Sequence, residues 1–204
     1  MIQPYASRTG TKRNLKAMRR NGFGLLISAT GVHRDEGFSL IGLDNGAWTA
    51  FQSGEPWERG LFELLVAQFA ATAEWIVIPD VVTDAAATFG KAKEWIPLLH
   101  GLGRRRLLAV QDGMTCQDVS PFIGDHVGIF LGGSTDFKWS TIDAWGDLAR
   151  RRGAYFHVGR VNTRRAITSC QLAGADSFDG TSATMFSVNA DKIGHASRQE
   201  VFKW

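Results

Sequence analysis

Leu107-Leu108-Ala109-Val110-Gln111-Asp112-Gly113 is an apolar run that stops on a polar triplet. A short apolar run bounded by turn residues reads as a buried strand. The triplet then places polar side chains where that strand ends. The same arrangement recurs along the chain. Asp44-Asn45-Gly46 follows the run Phe38 to Leu43, and Pro79-Asp80 follows Trp75 to Ile78. Gly132-Gly133-Ser134 follows Val127 to Leu131, and Asp179-Gly180-Thr181 follows Asp176-Ser177-Phe178. In a parallel α/β barrel the C-terminal strand ends open onto one face, and that face carries the chemistry. The expected fold is therefore α/β, a (β/α) TIM-type barrel of compact or reduced size, with one site assembled from many strand ends.

Working outward from residues 107–113, short apolar strands alternate with amphipathic helices, the pattern of βαβ units. Strands are expected near 23–28, 38–43, 75–79, 106–111, 127–132, 154–159 and 176–179. Helices are expected near 11–20, 58–73, 84–99, 116–123, 141–152, 162–173 and 189–201. Thr9 or Thr11 can cap the first helix, Asp84 the third, and Asn162 or Thr163 the sixth. Seven strands are visible. An eighth is hidden, with 45–57 as its candidate place, or the barrel is reduced. An open doubly wound sheet would want a Gly-rich phosphate loop after its first strand, and Ala29-Thr30-Gly31 is a poor match. No linker divides residues 1–204, so one domain is expected.

The 204 residues are 44% hydrophobic, as in a globular protein. No apolar run approaches the roughly 18 residues of a membrane span. The basic N-terminus has no apolar stretch of the secretory kind. Cys116 and Cys170 make neither a zinc motif nor a disulfide framework. A cytoplasmic protein with no membrane partner is expected. The net charge of +3 is mild, but the basic residues cluster. Arg8, Lys12, Arg13, Lys16, Arg19 and Arg20 form one group; Arg104 to Arg106, Arg150 to Arg152, and Arg160 with Arg164 and Arg165 form three more. Each alone is a solvated helix end. Four together make nucleic acid a candidate partner.

Asp44, Asp80 and Asp179 are three carboxylates at three strand ends. Carboxylates serve as nucleophiles, as general acids or bases, and as acceptors for donor groups of a ligand; each is also a common turn or cap residue. Gln111 can read a purine edge, or it is a satisfied polar residue at the rim. Gly132 and Gly133 allow a ligand close to the backbone, or form a tight turn. Trp48 can offer a stacking face, although the chain has seven tryptophans and most belong to cores. His157, inside Tyr155-Phe156-His157-Val158-Gly159, reads as packed and hydrogen-bonded rather than catalytic.

These motifs, taken in order from about residue 40 to 185, resemble those of the tRNA-guanine transglycosylases. LDNGAW (43–48), VIPD (77–80), AVQDGM (109–114), IFLGGS (129–134) and the segment 156–184 are similar to successive family motifs. The family's Cys3His zinc site has no counterpart here. In its short length the chain looks most like the compact phage relatives that insert 7-deazaguanines into DNA. The resemblance implies Asp179 as a nucleophile on C1′ and Asp44 as the base for the incoming deazaguanine. Asp80, Gln111, Gly132 and Gly133 would read the base, and Trp48 and Val158 would sandwich it. Arg8, Lys12, Arg13, Arg160, Arg164 and Arg165 would contact phosphates. The implied partners are nucleic acid, with DNA ahead of tRNA, and a free 7-deazaguanine base such as preQ0. No metal or redox cofactor is implied, and a homodimer is left open. The rival readings are a base-excising N-glycosidase, a nucleic-acid-binding domain, and a small-molecule barrel enzyme.

Overall fold

The computed structural model describes residues 1–201. Eight parallel strands close into a barrel in sequence order. They are β1 (Gln3–Ser7), β2 (Gly24–Ser28), β3 (Ile41–Asp44), β4 (Ala73–Val77), β5 (Arg106–Val110), β6 (Val127–Leu131), β7 (Phe156–Val158) and β8 (Ser177–Asp179). The helices are α1 (Lys12–Arg20), α2 (Ala47–Ser53), α3 (Arg59–Phe69), α4 (Ala85–Leu98), α5 (Cys116–Val119), α6 (Thr135–Arg152), α7 (Arg164–Leu172), α8 (Ser182–Met185) and α9 (Ser187–Arg198). The barrel is complete and the open sheet is excluded, because β1 pairs with both β2 and β8.

The eighth strand is β1. It is not in 45–57, which instead holds α2. Gln3-Pro4-Tyr5-Ala6-Ser7 is short, and its Pro4 gives no N–H to a ladder. Only its position between two partners makes it a strand. α6 starts six residues ahead of the expected 141, because the Ser134 hydroxyl caps it by accepting the Phe137 N–H at 3.2 Å. Asp84 and Thr163 cap α4 and α7 through the N–H groups of Ala87 and Ala166. Thr11 sits at the N-cap of α1 without a side-chain bond.

Alternation along each strand splits the apolar residues between two cores. One lies between the strands and the surrounding helices and includes Leu25, Ile27, Ile76, Leu108, Val110, Ile129, Leu131, Val158 and Phe178. The other fills the barrel and is built on Tyr5, Leu26, Trp75, Val77, Leu107 and Ala109, with Leu40, Phe130 and Tyr155 packed against it. Two glycines make room for its rings. Gly24 lies opposite Tyr5 in register, and a Cβ there would sit 2.3 Å from that ring. Gly42 pairs with Trp75, where a Cβ would meet the indole at 2.3 Å. The aromatic plug closes the barrel below its mouth, so the strand ends above it form the floor of any site. Among the described residues no helix is long and apolar enough to cross a membrane.

Candidate active site

β3 ends on Asp44, β8 on Asp179, and the turn after β4 carries Asp80. Barrel closure gathers all three at the C-terminal face. Asp44 is strongly perturbed. Burial first of all pushes its carboxyl up to about 6, and repulsion from Asp179 and Asp80 adds to this. The Ser28 hydroxyl and the Gly46 N–H pull the other way. Asp44 therefore lies within electrostatic reach of both Asp179 and Asp80.

Asp80 is fixed from the side. Buried Asn45 donates to one of its oxygens at 2.8 Å and to the Ile78 carbonyl at 2.8 Å, while its own carbonyl accepts from the Ala47 N–H at 2.7 Å. Burial raises the Asp80 carboxyl, and the Asn45 amide is the largest influence opposing it. Gln111 makes the other fastening. Its carbonyl accepts from the Thr83 N–H at 2.7 Å, and its NH2 donates to the Val81 carbonyl and the Thr88 hydroxyl at 2.9 Å each. A weaker contact to Asp80 spans 3.4 Å. The Gln111 amide is therefore consumed inside the chain. It builds the β4–α4 turn and has no donor left for a ligand.

Asp179 is only 8% exposed, and it accepts the Arg160 N–H at 3.2 Å. Its other oxygen lies 3.0 Å from His157 Nε2. A carboxylate only accepts, so Nε2 carries the hydrogen, and Nδ1 takes the Ser177 hydroxyl hydrogen across 2.7 Å. The imidazole is fully buried, stacked on Phe130 at 4.8 Å and beside Trp75 at 4.7 Å. It is packed and hydrogen-bonded, and it orients Asp179. Sequence inspection missed the pairing because Ser177 and Asp179 share a face by period two, whereas His157 reaches them only through the β7–β8 register.

Trp48, on α2, is 40% exposed at the rim, stacks on Phe51 and lies under the Arg160 guanidinium. Val158 cannot sandwich a ligand with it. His157 faces the barrel interior, so Val158 faces outward into the helix-facing core, where it is fully buried. Gly132 donates its N–H to Val110, and the Gly133 carbonyl accepts from Arg160. Arg8 is committed to Glu36 at 2.7 Å. Lys12 and Arg13 lie exposed on α1, and Arg164 and Arg165 are exposed at the start of α7. The charges of this α7 pair add to the positive end of the α7 dipole, which favours an anion there at some cost to the helix. Lys138 on α6 was not anticipated. It is buried, its ammonium donates to the Gly159 carbonyl, and burial followed by the nearby Arg160 brings its pKa down to about 8.

No family model and no curated protein matches the chain. Among solved structures it is similar to one described as native KDPGal, an aldolase barrel, at 12% identity and a TM-score of 0.56. The alignment covers 95% of this chain and 91% of that one. At this identity the likeness carries the fold alone. The transglycosylase expectation is overturned: the barrel matched is an aldolase, and no family model or curated protein supports a transglycosylase. Guanine exchange in DNA or tRNA, base excision and a nucleic-acid-binding role are withdrawn with that expectation, as are the phage and DNA-modification readings. The physical reason lies in the motifs. Asp, Gln and Gly-Gly after apolar strands are what a parallel barrel places at its mouth, and here Gln111 and Val158 are spent on the fold itself.

Proposed function

We propose that the chain is a small-molecule enzyme that moves a proton by general acid–base catalysis, with Asp44 as the acid and Asp179 as the base. The observation that carries this is the Asp44 carboxyl pushed up to about 6 in a space shared with Asp179 and Asp80. A carboxyl raised by its surroundings beside a second one fixed as an acceptor is a usual division of labour between acid and base. His157 and the Arg160 N–H hold Asp179 as a fixed acceptor. One donor and two acceptors suit a small substrate carrying hydroxyl groups.

The similar structure is an aldolase, and aldol chemistry through a Schiff base needs a reachable amine. None of the eight strands carries a lysine. Lys138 is buried and donates one of its N–H bonds to Gly159. The carboxyls are therefore the reacting groups in this reading. The test is deuterium exchange from D2O into carbon-bound hydrogens of a panel of hydroxy aldehydes, hydroxy ketones and 2-oxo acids, followed by NMR. Exchange into at least one compound, reduced at least 100-fold in both Asp44→Asn and Asp179→Asn, is expected. Exchange that survives both substitutions contradicts the assignment. A borohydride-trapped adduct on Lys138 would replace it with Schiff-base chemistry.

A further inference from the structure

Arg160 stands two residues beyond β7, and Trp48 is the second residue of α2, just beyond β3. In a closed barrel of eight strands in sequence order, β3 and β7 are diametrically opposite. Yet the Arg160 guanidinium lies 4.6 Å from the centre of the Trp48 ring. The two side chains therefore meet across the mouth. On the way the guanidinium donates to the Gly133 carbonyl at the end of β6. A carboxylate stands near each end of this bridge. Asp179 accepts the Arg160 backbone N–H, and Asp44 lies four residues before Trp48 on the same strand end.

The backbone at Arg160 is itself unusual. Its φ is +59°, a left-handed conformation that side-chain-bearing residues rarely adopt. An outlier of this kind persists where the surroundings over-determine it, and here it sits between Asp179 and the mouth. The guanidinium is also lightly held. Among the described residues it makes no ion pair, unlike Arg8, which is tied to Glu36. One carbonyl, one ring face and the longer-range attraction of Asp112 hold it, and the first two are replaceable by a ligand.

We infer that Arg160 gates the mouth: laid on Trp48 it covers the carboxylates, and it must lift off for substrate to reach them. Lifting it exposes the Trp48 face and Asp44 together and leaves the guanidinium at the rim. This rests on the carboxylates being the reacting groups, but its test reads access alone. The probe is a water-soluble carbodiimide with glycine ethyl ester at pH 6, with labelled carboxyls located by peptide mass spectrometry. In the unaltered protein Asp44 and Asp179 should react at least tenfold more slowly than exposed Glu58 and Asp136. Arg160→Gly, which suits the left-handed backbone, should raise both slow rates at least tenfold and leave Glu58 and Asp136 unchanged. Trp48→Ala opens the same bridge from the opposite rim without touching β7, and it should do likewise. Surface-like rates in the unaltered protein, or slow rates retained in Trp48→Ala, overturn the gate. Loss of deuterium exchange in the Asp44 and Asp179 variants bears on catalysis and leaves this result where it stands.

Discussion

Asp44 is a carboxyl that the folded chain prefers to keep protonated. Its pKa stands at about 6 when folded against the ordinary aspartate value of 3.8. Between those values the folded state binds more protons than the unfolded one, so stability falls as pH rises through that window. A shift of that size corresponds to about 3 kcal/mol in full. Asp44→Asn removes this contribution. Relative to the unaltered protein, the variant should gain stability at pH 8 compared with pH 4, read from urea midpoints at the two pH values. An equal difference at both pH values would show that Asp44 is not strained by its surroundings. A group that costs stability at neutral pH is what an active site retains for function. Gln111 has the opposite character. Its bonds to Thr83, Val81 and Thr88 are structural, and nothing in a one-dimensional reading separates an amide that faces a ligand from one that closes a turn.

At the scale of elements, the sequence made legible those strands that are apolar throughout. β5 and β6, each flanked by turn residues, lie within a residue of their expected spans. β1 was not legible, because Gln3 to Ser7 carries a proline and two polar ends and becomes a strand only by pairing on both sides. α2 was missed because Trp48 and Phe51 remain largely exposed, so the helix has little apolar periodicity. The three aspartates of the site were legible as strand-end residues. Ser28, Lys138 and the His157–Asp179 pairing were not, since they depend on register and on which side of the barrel a residue faces. Strand register also explains Gly42, which faces Trp75 in the barrel interior. Gly42→Ala places a methyl 2.3 Å from that indole. It should cost about 1–3 kcal/mol, as overpacking does, seen as a lowered urea midpoint with no change in slope. An unchanged midpoint would mean that the aromatic plug has slack.

At the scale of the molecule, the site exists because the barrel closes. Asp44 and Asp179 end β3 and β8, strands far apart in sequence that neighbour one another only through β1 and β2. Their coupling is a property of closure, and so is the bridge that Arg160 makes to Trp48 across the mouth. The likeness to an aldolase barrel at 12% identity fits this scale, where the architecture is shared and the groups at the mouth are this chain's own. The most direct test is a 13C carboxyl titration of Asp44 by NMR in the unaltered protein and in Asp179→Asn. The acid–base account predicts a midpoint near 6 that falls when the Asp179 charge is removed. A midpoint in the ordinary aspartate range, or one that does not move in Asp179→Asn, would contradict it.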